Sequence, residues 1–264
     1  MTINKVTIQE YLGAEIKDDG RQRDIAVNPN ICVYHTFKFD YVYGEDSTQK
    51  FVYENTAKPA VMSVLEGYNA TLLAYGQTGT GKTYTMEGFS TSLNDPNKGI
   101  IPRSIEEIFK YIENTSNKSK TFMVRASYLQ IYNEVITDLL KNNSSPLPIR
   151  ENKKKGVFVE GLSEWVVRSP HDIYNLMKDG MRNRATAATK MNDVSSRSHA
   201  VFMIIVEQMK SFKDMNDEVK SVDFKEIKVG KLNLVDLAGS ERVRVTGATG
   251  DRLEESKSIN LSLS

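Results

Sequence analysis

One eight-residue stretch, Gly76-Gln77-Thr78-Gly79-Thr80-Gly81-Lys82-Thr83, limits the folds open to this chain more than any other. It fits the GxxxxGK[ST] pattern at every position. Before it, Thr71-Leu72-Leu73-Ala74 reads as the end of a short buried strand. After it, Tyr84-Thr85-Met86-Glu87 is able to start a helix. Strand, glycine-rich loop and helix is the context in which such a loop cradles phosphate. Glycines let successive N–H groups curl around a β-phosphate with no Cβ in the way, and the helix N-terminus adds partial positive charge. In that geometry Lys82 reaches the β- and γ-phosphates and Thr83 offers its hydroxyl to Mg²⁺. A chance glycine-rich turn followed by Lys-Thr is the competing reading, and the full match in the right context weighs against it.

The chain has 264 residues, which suits one large α/β domain better than two small ones. Its formal net charge is +1, so any polyanionic partner must be read from local patches. Cys32 is the single cysteine, which argues against a disulfide framework and fits a reducing compartment. Residues 1–5 lead into no long apolar stretch, so no signal peptide is expected. No run approaches the roughly 18 apolar residues of a membrane span. These features lead us to expect a soluble, intracellular protein with no membrane span.

Residues 3–43 read as short extended pieces broken by turns, with Val6-Thr7-Ile8 and Ile31-Cys32-Val33-Tyr34 as β-prone runs. Phe37, Phe39 and Tyr41 alternate as on a half-buried strand. Ser47 is placed to cap a helix running to about Leu65, closed by Gly67, with Val52, Thr56 and Ala60 on one face and Pro59 as a possible break. Ile101-Pro102-Arg103-Ser104 starts a short helix with Ile105, Ile108 and Phe109 on one side. Strands are expected at Phe122–Tyr132, Val157–Val159, Ala200–Glu207 and Val229–Leu237. Between them, Ser169 caps a helix that has Pro170 at its first position and runs towards Thr186. Residues 210–223 read as a charged hairpin tip. Trp165 reads as core packing. Leu253, Ile259 and Leu263 have helical spacing.

Two further motifs bear on phosphate chemistry. Lys231 to Asp236 is a strand ending in an acid, the position from which a carboxylate approaches the Mg²⁺ shell. A turn cap is the alternative for a lone Asp. In Asp236-Leu237-Ala238-Gly239-Ser240-Glu241, Gly239 is able to bring its N–H to a γ-phosphate oxygen and to change torsion when that phosphate leaves. Asn192-Asp193-Val194-Ser195-Ser196-Arg197-Ser198-His199 lies between a helix and a strand. Its hydroxyls suit Mg²⁺-bound water and an attacking water, and Arg197 suits an ion pair with Glu241. Local caps and ST-turns remain an equal reading of that serine-rich loop. His199 has no His/Cys/Asp spacing of a zinc site, and a packed or loop-ordering role is expected for it.

Taken together, GQTGTGKT at 76–83, NDVSSRSH at 192–199 and DLAGSE at 236–241 resemble the three nucleotide motifs of the kinesin motor domain, in the family's order and with near-family spacing. Tyr68-Asn69-Ala70-Thr71, Tyr128-Leu129-Gln130-Ile131-Tyr132-Asn133-Glu134 and Leu253 to Ser264 resemble kinesin segments too, so the likeness covers essentially the whole chain. The resemblance implies an α/β P-loop NTPase fold, a central, mostly parallel mixed sheet with helices on both faces. It implies an ATPase, stimulated by microtubules, that couples Mg-ATP hydrolysis to microtubule binding and movement. By the same likeness, Gly76, Gln77, Thr78, Gly79, Thr80, Gly81, Lys82 and Thr83 bind phosphate, with Tyr84 beside adenine. Thr83, Ser196 and Asp236 hold Mg²⁺, the last through water. Asn192 and Ser195 position phosphate or the lytic water, Gly239 senses the γ-phosphate, and Arg197 and Glu241 pair to close the two switches.

The partner implied is the acidic surface of tubulin. Lys153, Lys154 and Lys155 match the family's track-contacting hairpin, Arg242, Arg244 and Arg252 lie in the loop after the second switch, and Lys257 follows on a helix. A solvated lysine loop is the competing reading for 153–155. The likeness further implies a homo-oligomer formed through regions outside this sequence, a cytoplasmic place on the cytoskeleton, and no nucleic-acid partner. Residues 1–264 are expected to be a partial motor domain: the family's first central strand and its Arg-x-Arg-Pro element, its C-terminal track-binding helices and its neck have no counterpart here. A chain so trimmed is expected to be poorly stable alone. At position 261 this chain has Leu where the family often has Lys. Two rival readings stand beside the motor: a degenerate kinesin-like protein that binds microtubules or a partner without productive cycling, and a P-loop NTPase with another substrate.

Overall fold

The computed structural model describes residues 4–11, 15–18, 23–26, 32–88, 95–117, 119–142, 145–153, 156–188, 196–213, 223–241, 259 and 261–263. The chain divides into two compact units, Met1–Ser47 and Thr48–Ser264.

The first unit holds four strands, β1 (Lys5–Tyr11), β2 (Glu15–Asp18), β3 (Arg23–Ala26) and β4 (Cys32–Lys38). They pair antiparallel as two ribbons, β1 with β4 and β2 with β3. Thr7 and Thr36 face each other across the first ribbon with their hydroxyls 3.2 Å apart. Phe37, Phe39 and Tyr41 are exposed rather than half-buried. A two-stranded ribbon has no second layer of its own to cover them.

The second unit begins with α1 (Gln49–Val52), a π-turn at Tyr53–Ala57 and α2 (Lys58–Leu65). Thr48, not Ser47, is the cap: its hydroxyl accepts from the Phe51 N–H at 3.2 Å. The sequence reading allowed a break at Pro59, and the chain makes one by widening. Pro59 has no N–H to give and its ring would crowd the carbonyl four residues back. The turn before it opens to i→i+5 bonding, with the Lys58 N–H on the Tyr53 carbonyl. That extra residue also rotates the buried stripe, which runs through Tyr53, Ala57, Val61, Val64 and Leu65 and leaves Thr56 exposed. Gly67 closes α2 as expected, its N–H on the Val64 carbonyl and the Tyr68 N–H on the Ser63 carbonyl, both 3.0 Å.

Then follow β5 (Asn69–Ala74), α3 (Lys82–Met86), α4 (Ile100–Thr115), β6 (Lys120–Tyr132), β7 (Val135–Asp138), β8 (Ile149–Asn152), β9 (Gly156–Val159), β10 (Trp165–Val167), α5 (Pro170–Ala188), β11 (His199–Lys213) and β12 (Asp223–Asp236). Ser169 caps α5 as read, accepting from the Asp172 N–H at 3.2 Å. One six-stranded sheet has the order β10-β6-β11-β12-β5, with β7 also on β6. The sheet is mixed, but its parallel part is smaller than expected. Among the described residues only β5–β12 is parallel; β10–β6, β6–β11, β11–β12 and β6–β7 are antiparallel. The cause is connectivity: β11 and β12 are the arms of one hairpin and must run opposite ways. Both arms extend well beyond the runs read from sequence, pairing out to Lys213 and Asp223.

Two readings of burial change with this order. Among the described residues β5 pairs only with β12, so it is an edge, and Leu73 is 62% exposed. Trp165 lies on the other edge in β10, 46% exposed, its Nε1–H on the Ser163 hydroxyl at 3.0 Å.

The core lies on one face of the sheet. Val124, Ala126 and Tyr128 of β6, Phe202, Ile204 and Val206 of β11, and Leu232 and Leu234 of β12 pack there against α2, α4 and α5. Tyr128 and Phe202 meet edge to face at 5.2 Å. Ile105, Ile108, Ile173 and Ile204 are fully buried, each worth roughly 1.5–3 kcal/mol of transfer free energy. The alternate residues face the other way: Leu129, Ile136 and Met203 form a smaller cluster with Leu147, Val159 and Leu162 beside the β8–β9 ribbon. Residues 259 and 261–262 are helical, and the Ser262 hydroxyl lies 2.7 Å from His199 Nε2.

Candidate functional site

The C-terminal ends of β5 and β12 lie side by side, because Asp236 is in register with Ala74 and the Leu237 N–H still reaches the Ala74 carbonyl at 3.3 Å. This brings residues 75–83 and 236–241 together, as parallel pairing does at the carboxyl edge of a sheet. Gly79 and Gly81 have φ of 84° and 90°, and α3 starts directly at Lys82. Lys82 arches over the loop, its Nζ donating to the Gln77 carbonyl at 2.9 Å, which also accepts from the Thr80 hydroxyl at 2.8 Å. The Ser240 N–H donates to the Gly76 carbonyl at 3.1 Å.

Glu241 is tied to the same loop. Thr78 donates its backbone N–H to Oε2 at 2.9 Å and its hydroxyl to Oε1 at 2.7 Å. Burial pushes the Glu241 carboxyl up, but the two Thr78 bonds, its own backbone and the Lys82 charge hold it below the ordinary value. Gly239 lies beneath this contact. A Cβ there would stand 2.2 Å from Glu241 Oε2 and 2.4 Å from Thr78 Oγ1, so a side chain would have to push these two groups away from their contact. Its N–H donates to the Ser196 carbonyl at 2.8 Å, joining the second and third motifs directly.

Asp236 is the buried centre, 2% exposed. Its Oδ2 accepts from the Thr83 hydroxyl at 2.7 Å and lies 3.4 Å from Arg184 Nη1. Arg184 is locked in turn by the Ser198 carbonyl, 2.9 Å from Nη2, and the Ser198 hydroxyl, 3.3 Å from Nε. Asp236 Oδ1 is buried with no hydrogen-bond partner. A buried carboxylate oxygen without a partner costs free energy unless a cation or its water completes it. An all-oxygen set of Thr83, Ser196 and Asp236 is the donor chemistry of a hard divalent cation, so these residues fit Mg²⁺. The described residues contain no cluster of three or more His, Cys, Asp and Glu, so no softer metal centre competes.

Behind the loop is a layer the sequence reading did not single out. Tyr128 donates its hydroxyl to Glu87 Oε1 at 3.2 Å. Desolvation raises the Glu87 carboxyl to about 7; the Arg184 charge and the Tyr128 bond oppose this and Asp236 adds to it. Burial likewise pushes the Tyr128 phenol well up. No local pattern marks Arg184: an arginine near the end of an amphipathic helix reads as surface charge, and only the docking of α5 on β6 turns it inwards.

Of the residues expected at the site, Gly76, Gln77, Thr78, Thr80, Lys82, Thr83, Ser196, Asp236, Gly239 and Glu241 are joined by the bonds above. Tyr84 lies on α3, its carbonyl accepting from Gln49 Nε2 at 2.6 Å. Arg197 is half-buried, beside Ser196, and Lys153 is exposed just after β8. Asn192, Ser195, Lys154, Lys155, Arg242, Arg244, Arg252 and Lys257 lie outside the described residues.

The kinesin motor domain family model matches residues 4–264. Kinesin-related protein 3 of Dictyostelium discoideum is 46% identical over 235 residues, 87% of this chain and 18% of that protein. Human kinesin-like protein KIF15 is 48% identical over 234 residues, 87% of this chain and 16% of that protein. The chain therefore spans under a fifth of the length of these relatives. Two solved structures superpose on it at 40% identity. One is a fast kinesin, with a TM-score of 0.75 over 97% of this chain and 66% of the other. The second is a KIF14 dimer with AMP-PNP in complex with a microtubule, with a TM-score of 0.74 over 90% of this chain and 66% of the other. The phosphate-type loop, the 236–241 loop bonded to it, the serine-rich loop bonded in turn to Gly239, and these matches along nearly the full length agree, and the chain belongs to the kinesin motor domain family.

Proposed function

We propose that this chain is the nucleotide-hydrolysing part of an ATP-driven microtubule motor, an ATPase stimulated by its track, and that residues 1–264 are one part of a longer motor domain. The observation that carries the reading is the 2.7 Å bond from Thr83 to Asp236, two residues 153 positions apart, beside an Asp236 oxygen with no partner. Loop residues 76–81 and Lys82 would cradle the phosphates, with Tyr84 beside the base. Thr83 and Ser196 would hold Mg²⁺ directly and Asp236 through water, and the ion when bound would neutralise charge on the β- and γ-phosphates. Asn192 and Ser195 would place the lytic water.

Phosphoryl transfer needs positioning and charge stabilisation more than a strong base. The Gly239 N–H would leave the Ser196 carbonyl to bind a γ-phosphate oxygen, so the arrival of that phosphate would be felt in both switch loops. Glu241, which would pair with Arg197, is anchored on Thr78, so closure of the second switch would pull on the phosphate loop itself. On the track side, Lys153, Lys154 and Lys155, then Arg242, Arg244, Arg252 and Lys257, would meet acidic tubulin. Lys153 stands exposed in the turn after β8, as such a contact requires. The working unit would be a homo-oligomer on the cytoskeleton in the cytoplasm, joined through segments outside this sequence. None of the described helices is long and apolar enough to cross a membrane.

The test is ATP turnover of the full gene product with and without microtubules, with Glu241→Ala as control. Stimulation that is lost in the variant supports the motor. Track binding without turnover would favour a non-cycling binder, and turnover indifferent to microtubules would count against both.

A further inference from the structure

Gln49 is the first residue of α1, and it is buried, with 7% of its surface exposed. A glutamine in the first turn of a helix ordinarily stays in water, because burial costs rotamer freedom and strips the carboxamide of its solvent bonds. Here it heads the buried stripe that continues through Tyr53 and Ala57. Its amide is directed across the fold: Nε2 donates to the Tyr84 carbonyl at 2.6 Å, 35 positions further along the chain. That carbonyl already has its helical partner, the Gly88 N–H at 2.9 Å. The bond from Gln49 therefore rescues no orphan acceptor. What it adds is a fixed place for the Tyr84 backbone.

α3 needs such a tie, since a helix of five residues is too short to hold its shape by propensity. Its far end is locked by Gly99, whose N–H donates to the Glu87 carbonyl at 3.1 Å and where a Cβ would stand 2.6 Å from the Met86 carbonyl oxygen. Its near end is held twice, at Thr83 through the side chain on Asp236 and at Tyr84 through the backbone on Gln49. Consecutive helical side chains diverge by about 100°, so the tie at Thr83 does not orient the next ring. Once the backbone is fixed, a helical tyrosine keeps only two common χ1 rotamers. We infer that Gln49 is a positioning residue for recognition of the nucleotide base, holding Tyr84 so that its ring is set before a base arrives. The inference rests on the reading above that puts Tyr84 beside the base; the Gln49–Tyr84 bond does not depend on it. Loss of this preorganisation weakens the hold on the base and spares the phosphates, which are bound from Gly76 to Thr83.

The test uses the full-length protein with Gln49→Met, Tyr84→Ala and the double variant. Met has the length of Gln and suits a buried stripe, but it has no N–H to donate. Affinities for a non-hydrolysable ATP analogue and for tripolyphosphate, both with Mg²⁺, are measured by displacement of a fluorescent ADP. Tripolyphosphate offers the same run of phosphates with no base. The unsubstituted protein should bind the ATP analogue more tightly. Gln49→Met should weaken the analogue about fivefold, the worth of one neutral hydrogen bond, and leave tripolyphosphate unchanged. The double variant should bind the analogue no more weakly than Tyr84→Ala alone. An equal loss for both ligands would mean that Gln49 only holds the loop together, and would overturn the inference. So would no loss in Gln49→Met, additive losses in the double variant, or equal binding of the two ligands by the unsubstituted protein. Tripolyphosphate binding also reports that each variant is folded. Gln49→Asn, whose amide is one methylene short of Tyr84, supplies the same measurement if the Met variant does not fold. Microtubules that fail to stimulate turnover would sink the motor reading alone, because the two affinities are compared without them.

Discussion

Replacing Glu87 with Gln should remove a pH dependence of stability between about 4.5 and 7. Glu87 follows α3, and its carboxyl meets the hydroxyl of the buried Tyr128. The residue keeps some solvent contact, but its carboxyl points at a buried ring, so desolvation dominates. Arg184 is the nearby cation, yet it is already committed to Asp236 and to the Ser198 carbonyl. The folded carboxyl thus titrates at about 7 where the ordinary value is 4.5. Between those values the native state binds more protons than the unfolded chain. The stability this group contributes is full below 4.5 and is lost as pH rises through 7. At ~1.36 kcal/mol per pH unit, the gap corresponds to ~3 kcal/mol, most of it lost between pH 5 and pH 8. Gln keeps an acceptor for Tyr128 and cannot ionise, so Glu87→Gln should gain ~2.5 kcal/mol on the unsubstituted protein between pH 5 and pH 8. Urea unfolding of both proteins at the two pH values gives this number, and the subtraction cancels every other carboxylate. A difference independent of pH would refute the reasoning. A difference of opposite sign would mean that Arg184, not burial, governs Glu87.

Gly230→Ala should cost ~3 kcal/mol, seen as a lower urea midpoint at unchanged slope, because its Cβ would lie 2.0 Å from the Val64 carbonyl oxygen at the end of α2. Arg184→Met should cost about 3–5 kcal/mol, measured by the same unfolding, since it leaves the buried Asp236 carboxylate without its cation. Asp236→Asn should weaken Mg²⁺-dependent nucleotide binding by roughly 10–100-fold while leaving the binding measured in excess chelator unchanged.

The parts of this protein that were legible in the chain are those written in local pattern. Gly76 to Thr83 carries its own backbone requirements, so the loop and the start of α3 could be placed without knowing what surrounds them. The alternation in Phe122–Tyr132 and the apolar run Ala200–Glu207 marked strands for the same reason. Ser169-Pro170 marked the start of α5, and Gly67 the end of α2. Harder to read were features that depend on which neighbour a segment meets. Leu73 and Trp165 are apolar, and burial was the natural reading of each; they are exposed because, among the described residues, their strands lie at the two edges of the sheet. Thr56 is exposed because it lies inside the π-turn ahead of Pro59, where the wider turn breaks the helical spacing that would set it in line with Val52 and Ala60.

The same division runs through the site. The loop at 76–83 specified phosphate chemistry by itself, whereas the lone acid and the serine-rich loop each kept a local capping reading, and only the three motifs taken together resembled one kind of site. How they meet was decided only by the tertiary structure. The parallel register of β5 and β12 brings Thr83 to Asp236, the docking of α5 turns Arg184 inwards, and Glu241 closes on Thr78 over Gly239, where a Cβ would push the two groups apart. Those contacts join residues far apart in the chain, and no local propensity encodes them. They follow from packing, where the burial of Asp236 and Glu87 selects which charges stand beside them.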